Sequence, residues 1–244
     1  MKNNLLITGA AGSIGYEIIK KFYKSKYNII AVDITKKKDL LKTFPKINYF
    51  SCDLTNEKST KNLFLKIEKK FKSIDILINN AGLIFNSLII SRINNGFKKH
   101  SYKEWKNVLS SNLNTTFLTS TYAIENMVMN RKTGLIINIS SISAEGNIGQ
   151  AAYSSSKAAI ESFSTTLSKE LAIFGIRVVS IAPGFFNTKS THKSLSKSQI
   201  SNIKAITPVG RFGKIQELMN AINFVINNKF YNGKVLKIDG GLRI

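Results

Sequence analysis

The stretch LLITGAAGSIGYEI, residues 5–18, decides the fold. An apolar run ends in glycines at positions 9, 12 and 15 and passes into an amphipathic segment, which is a buried strand, a tight turn and the start of a helix. In that setting Gly9 permits the tight turn and Gly12 lets the backbone approach a diphosphate. Gly15 lets the helix pack closely against the strand. The first helical turn, with Ser13 and Ile14, offers N–H groups and the positive end of the helix dipole to phosphate oxygens. Alone, the pattern reads equally well as a simple glycine-rich turn. Asp33 shifts the balance, because it ends the next apolar run, the place from which a carboxylate bonds the ribose hydroxyls of an adenosine.

Outward from this unit, β-rich apolar runs alternate with longer amphipathic stretches to the end of the chain. NIIAVD, INYFSCD, IDILINNAG, GLIINISS, IRVVSIAPG and KVLKIDGG read as strands. Helices are expected in NEKSTKNLFLKIEKKF, from about Tyr102 to Asn130, from about Ala151 to Phe174, and in KIQELMNAINFVINN. The expectation is an α/β fold: a Rossmann-type, doubly wound parallel sheet of about seven strands with helices on both faces, in one domain over residues 1–244. Two segments, at about 84–101 and 185–207, exceed that plan. Both follow the C-terminal ends of strands, where open parallel sheets bind ligands, so they are expected to be substrate loops.

The totals narrow the function classes. With 43% hydrophobic residues, 3 prolines and a mean hydropathy of -0.04, the chain can bury a sizeable core. It has no run long enough to span a bilayer, and MKNNLLITG reaches its first glycine too soon for a signal peptide, so a soluble, cytoplasmic protein with no membrane partner is expected. One cysteine, Cys52, excludes an intrachain disulfide and a cysteine metal cluster, and the two histidines, His100 and His192, lie far apart; no metal site is expected. The net charge of +22 would attract polyanions. Its lysines are scattered through every segment, however, and TKKKDLLK and KIEKKFK lack interleaved aromatics, so a generally basic surface is expected rather than a specific nucleic-acid site.

A second constellation is YSSSKAAIESF. Tyr153 and Lys157 stand four apart on one face of an expected helix, where an ammonium can lie near a phenol and favour its anion. By itself the pair reads as a solvated helix face.

Together these features resemble the short-chain dehydrogenase/reductase family, in its short single-domain branch, from Leu5 to about Leu242. The likeness rests on TGAAGSIG (8–15), CDL (52–54), NNAG (79–82), SSNLNTTF (110–117), INISSIS (137–143), YSSSK (153–157), APG (182–184) and IDGG (238–241). The resemblance implies hydride transfer between a nicotinamide and a ketone or secondary alcohol. It implies Tyr153 as acid/base and Lys157 as the residue that lowers the tyrosine pKa and holds the nicotinamide ribose. Ser141 would hydrogen-bond the substrate carbonyl, and Asn112 would hold a water linking the lysine to solvent. Asp53 and Leu54 would contact the adenine, and Asn80, Ala81 and Gly82 would line the adenosine ribose and steady the sheet. Pro183, Gly184 and Thr188 would hold the carboxamide.

The loop departs from the branch's usual TGxxxGxG, with Ser13 at the middle glycine and Gly12 one residue earlier. Members of the branch that prefer NADP often carry arginine at the Gly12 position and no acid at the end of the second strand. Gly12 and Asp33 therefore imply NAD(H) over NADP(H), although Lys36, Lys37 and Lys38 could partly offset Asp33. The whole-chain pattern is most similar to the 3-oxoacyl-acyl-carrier-protein reductases, especially APGFFNT and TPVGRFG, and Arg211 and the basic surface would suit an acidic carrier. The longer region Ile84–His100 keeps a sugar, polyol or other secondary alcohol open as the substrate. A catalytically idle cofactor sensor or a nucleic-acid binder is the reading from another class, and the intact Asn112, Ser141, Tyr153 and Lys157 argue against it. The helices near 102–130 and 151–174 resemble those through which family members pair as homotetramers or homodimers.

Overall fold

The structure, a computed structural model, describes residues 3–35, 38–188, 191–192 and 195–243. Seven parallel strands form one sheet: β1 (Asn3–Thr8), β2 (Tyr27–Asp33), β3 (Asn48–Ser51), β4 (Ile76–Asn79), β7 (Gly134–Ile139), β8 (Ile176–Pro183) and β9 (Val235–Ile238). A separate antiparallel hairpin holds β5 (Ile90–Ile93) and β6 (Gly96–Lys99). The sheet order is β3-β2-β1-β4-β7-β8-β9, so the chain winds outward in one direction from β1 and in the other from β4. The switch point between those strands opens a crevice at their C-terminal ends.

The apolar runs are continuous because both sheet faces are covered. On β1, Leu5 and Ile7 turn to one face, against Ile18, Ile19 and Phe22 of α1 (Ser13–Phe22) and Leu218 and Ile222 of the last helix. Leu6 between them turns to the other face, which also holds Leu63, Phe64 and Ile67 of α3 (Glu57–Phe71). A short α2 (Lys38–Thr43) lies between β2 and β3.

The expected helix at 102–130 is three pieces: α4 (Tyr102–Leu109), a π-helical turn over Ser110–Asn114, and α5 (Thr115–Met129). Helix α6 (Ala151–Glu170) ends before a 3-10 turn at Ala172–Phe174, so the expected continuous helix to Phe174 stops short. Two further elements fall inside the expected loops. The β5–β6 hairpin turns on Asn94-Asn95 before Gly96, whose φ is +153°. Within 185–207 stands α7 (Lys197–Ile206), opened by a capping box in which Ser196 Oγ accepts from Gln199 N at 3.2 Å and Gln199 Oε1 accepts from Ser196 N at 2.8 Å. The last helix is α8 (Ile215–Asn227).

One row of the sheet is polar. Asn79, Asn138 and Ser180 are register neighbours on β4, β7 and β8, and all are buried. Asn79 donates to Asn138 Oδ1 (2.8 Å) and Ser120 Oγ (2.9 Å) and accepts from Thr119 Oγ1 (2.7 Å); Asn138 and Ser180 both reach Ser164 Oγ on α6 at 2.8 Å. Burying these groups costs nothing net only because each finds a partner, and the partners fix α5 and α6 on the sheet.

Candidate active site

Gly9 has φ +63°, and a Cβ there would stand 2.8 Å from Ala81 Cα, so both the turn and the neighbouring segment require glycine. Gly15 is tighter still. Its Cβ would meet the Gly9 carbonyl oxygen at 2.2 Å and Ala10 Cα at 2.8 Å, so the close approach is to the turn itself rather than to the strand. Gly12 is the N-cap of α1, exposed, with no side-chain cap and no acid in the first helical turn. Ser13 and Ile14 follow it on the cleft wall. The first-turn N–H groups of a helix have no partner within it, so this end of α1 suits a diphosphate.

The NNAG segment braces that turn. Asn80 Nδ2 donates to the carbonyls of Thr8 and Gly9 at 3.1 Å each, while Thr8 Oγ1 accepts from the Asn80 and Ala81 N–H groups at 3.0 and 3.1 Å. Asp33, at the end of β2, does the same from the other side: Oδ2 accepts from Ala11 N at 2.9 Å, and Oδ1 accepts from Thr35 N at 3.0 Å and Thr35 Oγ1 at 2.9 Å. Asp53 repeats the turn, accepting from Thr55 N and Oγ1 at 3.0 and 2.7 Å. Lys36 and Lys37, expected to offset Asp33, lie outside the described residues, as does the side chain of Lys38.

The candidate reacting groups meet where β7 ends. Ser141 follows that strand as the N-cap of a 3-10 turn at Ile142–Glu145, and its Oγ accepts from Ser143 N at 3.1 Å. Tyr153 and Lys157 share one face of α6, both buried. Burial pushes the Tyr153 phenol up, and a side-chain hydrogen bond with Ser141 works against that. Burial pushes the Lys157 ammonium down to about 8, with the Glu161 carboxylate opposing it. The ammonium donates to the Ile139 carbonyl at 2.7 Å and lies 5.6 Å from the centroid of the Tyr153 ring. Desolvation, opposed by the Ser141 hydrogen bond, sets the direction of the phenol, and the expected lowering by Lys157 does not. Asn112, wholly buried on the π turn, accepts from Leu83 N at 2.6 Å and donates to Leu83 O at 3.1 Å and Ser156 Oγ at 2.9 Å. It pairs with the segment after β4 as a strand backbone would. Gly82 fits between, since a Cβ on it would lie 3.1 Å from Asn112 Oδ1 and 3.8 Å from Lys157 Nζ.

One cleft of about 540 Å³ collects these parts. Gly9, Gly12, Ser13, Ile14, Asp33, Asp53 and Leu54 line one end; Asn80, Ala81 and Gly82 its middle; Ser141, Tyr153, Lys157, Pro183, Gly184 and Thr188 the other. Gly15 and Asn112 stand behind the wall. Gly184 is forced by the residue that follows β9, because its Cβ would lie 2.8 Å from Asp239 Cα. Thr188 Oγ1 lies 2.8 Å from Thr191 Oγ1. Arg211 is committed elsewhere, to a two-point pair with Glu217 at 2.7 and 2.9 Å. Ser111 and Thr115 of SSNLNTTF and Phe185 and Phe186 of the second expected loop also line the cleft, as does Gln150, which stands in no motif and which the sequence reading missed. Among the described residues no helix is long and apolar enough to cross a membrane.

Comparison with known proteins agrees with this geometry. The family model described as short chain dehydrogenase matches residues 3–199. The 3-oxoacyl-[acyl-carrier-protein] reductase of Thermotoga maritima is 34% identical over 98% of this chain and 97% of its own length. The acetoacetyl-CoA reductase of an Acinetobacter species is 32% identical over 97% of this chain and 96% of its own. Among solved structures, a 4-hydroxyisoleucine dehydrogenase complexed with NADH superposes with a TM-score of 0.89 at 29% identity, covering 98% of both chains. ElxO with NADP bound gives 0.88 at 28% identity, over 99% of this chain and 98% of that one. With its glycine turn, its Ser141–Tyr153–Lys157 cluster and relatives matched along nearly their whole length, the chain belongs to the short-chain dehydrogenase/reductase family and is a nicotinamide-dependent oxidoreductase.

Proposed function

We propose that this chain is a cytoplasmic ketoreductase that uses NADH to reduce 3-oxoacyl thioesters, with the acyl group carried on an acyl-carrier protein. The observation that carries the reading is the single cleft that places the open end of α1 and Asp33 at one end and Ser141, Tyr153 and Lys157 at the other. A bound nicotinamide dinucleotide supplies the hydride. Tyr153 is the proton donor: a phenol raised by burial stays protonated at neutral pH and can give its proton to the carbonyl oxygen as that oxygen gains charge. Ser141, on the same edge, hydrogen-bonds that oxygen and polarises the bond being reduced. Lys157 places a positive charge near the phenolate left behind and holds the nicotinamide ribose. Asn112 fixes the segment after β4 beside the lysine and holds the water that returns protons to it.

At the other end, the first turn of α1 binds the diphosphate, and Asp33 bonds the ribose hydroxyls. A carboxylate there repels a 2′-phosphate, which favours NADH over NADPH. Asp53 and Leu54 contact the adenine, Asn80, Ala81 and Gly82 line its ribose, and Pro183, Gly184 and Thr188 hold the carboxamide. The segments at about 84–101 and 185–207 are the substrate loops, a reading supported by Ile84 from the first and Phe185, Phe186, Thr188, Thr191 and Leu195 from the second on the cleft wall. The chain works as a homotetramer or homodimer. Phe117 of α5, half exposed and against Phe163 of α6 with centroids 6.0 Å apart, supports pairing through those helices.

The relatives named for 3-oxoacyl and acetoacetyl substrates favour the thioester reading, and the likeness to a 4-hydroxyisoleucine dehydrogenase favours a secondary alcohol as the second reading. Purified protein screened against acetoacetyl-CoA, carrier-bound 3-oxoacyl chains, sugars and hydroxy amino acids, with each nicotinamide cofactor, separates them. Thioester turnover with higher kcat/KM for NADH is expected, and Tyr153→Phe is expected to lower kcat by about 10²–10⁴. A strong NADPH preference would sink the cofactor assignment, and full activity in Tyr153→Phe would sink the mechanism.

A further inference from the structure

Glu161 lies on α6 one helical turn beyond Lys157 and is half-buried. Its Oε1 accepts from the Ser140 hydroxyl at 2.7 Å, and that hydroxyl also lies 3.4 Å from the Lys157 main-chain carbonyl. Ser140 is the middle of three consecutive residues that all engage α6. The Ile139 carbonyl takes the Lys157 ammonium, Ser140 takes the Glu161 carboxylate, and Ser141 meets Tyr153. Such a run of attachments fixes the distance between the strand end and the helix, and with it the placing of Ser141 relative to the phenol.

The charged groups around Glu161 come from three elements. Lys157 faces it from α6, Lys237 from β9, and Glu145 from the 3-10 turn, with Lys237 and Glu145 themselves paired and Asp239 acting on Lys237. Burial raises the Glu161 carboxyl above its ordinary value, and Glu145 adds to that; the Ser140 hydrogen bond, Lys237 and Lys157 work the other way and favour the carboxylate. Lys157 faces Glu161 and the neutral Tyr153, and Glu161 is the carboxylate that favours its charged form.

We propose that Glu161 is a positioning residue for the Tyr153–Lys157 pair, tying α6 to the end of β7 through Ser140 and supplying the negative charge that keeps the Lys157 ammonium protonated during reduction. The proposal rests on the roles given above to Tyr153 and Lys157. An ammonium already lowered to about 8 has little reserve, so loss of the opposing carboxylate brings its deprotonation toward neutral pH. Reduction would then fail at a lower pH.

The test is the pH profile of kcat, from pH 6 to 10, for reduction of the ketone turned over fastest in the screen, with the wild type and four variants. Glu161→Gln keeps an acceptor for Ser140 and removes the charge; its alkaline limb is expected to move down by about half a unit to one unit, with KM within about twofold. Ser140→Ala cuts the tie and leaves the carboxylate in place without its hydrogen bond, so kcat is expected to fall about tenfold with a limb shift smaller than that of Glu161→Gln. Lys237→Met alters a half-exposed side chain and weakens Glu161 ionisation, so its limb is expected to move the same way by less. A Glu161→Gln limb that superposes on the wild type, or a uniform fall in kcat without a shift, overturns the proposal; if that variant does not fold, an unmoved Lys237→Met limb does so. Tyr153→Phe keeps the two readings apart. Activity retained in it removes the mechanism itself, whereas an inactive Tyr153→Phe beside an unmoved limb removes only the role of Glu161.

Discussion

Replacing Lys157 by methionine should abolish reduction and make the protein more stable. Lys157 is 5% exposed, and desolvation first of all lowers its ammonium from 10.5 to about 8. At about 1.4 kcal/mol per unit, holding the charge in the folded chain costs about 3 kcal/mol. Methionine fills nearly the same volume without a charge, and the lost hydrogen bond to the Ile139 carbonyl returns about 1 kcal/mol of that cost. The net gain of about 2 kcal/mol corresponds to a Tm about 4–8 °C higher for a chain of this length. The pH dependence fixes the cause. Below pH 8 the lysine is charged in both folded and unfolded chains, so the full penalty is present. Between about 8 and 10.5 the unfolded chain binds more protons, and wild-type stability rises with pH relative to the variant. Lys157 also favours the Glu161 carboxylate, so the difference in Tm, read by scanning calorimetry at pH 7 and again near 10.5, reports Lys157 together with that coupling. The reasoning is refuted by a variant no more stable than wild type at pH 7, or by a difference that does not shrink as the pH rises.

Gly15→Ala puts a methyl 2.2 Å from the Gly9 carbonyl; a loss of about 1–3 kcal/mol and at least about tenfold weaker NADH binding are expected by denaturation and fluorescence titration, and unchanged affinity would show the turn tolerates the shift. Asn79→Leu strips partners from Asn138, Thr119 and Ser120 in the buried polar row and should cost about 2–4 kcal/mol in urea unfolding, whereas a neutral outcome would mean those groups re-pair among themselves.

The parallel sheet, its edge and many of the residues lining the cleft were legible because they are written in local signals: apolar runs for strands buried on both faces, and glycines where backbone meets backbone. The misses have physical causes. The break in the 102–130 helix leaves no mark in helical periodicity, because a π turn adds a residue without interrupting the chain of apolar and polar positions; Asn112 alone shows it, through its pairing with Leu83. Two other misses were in fact signalled. Asn94-Asn95 before a glycine is hairpin chemistry, and Ser196 with Gln199 three residues on is a helix start, yet neither stands beside the strong apolar pattern that marks the core. Glu161 escaped because its partner Ser140 lies twenty-one residues away and only the fold joins them.

The bond between Asp33 and the Ala11 N–H bears on redesign of the enzyme. Changing cofactor choice by replacing Asp33 with a small neutral residue would also release one strut of the glycine turn, so poor activity with either dinucleotide would follow from a slack loop rather than from the wrong charge. Asparagine, which retains an acceptor for that N–H while discarding the charge, is the conservative first step. An arginine for the 2′-phosphate belongs at exposed Gly12, where its Cβ would lie 3.3 Å from the Gly9 carbonyl oxygen, so the turn must yield slightly to take it.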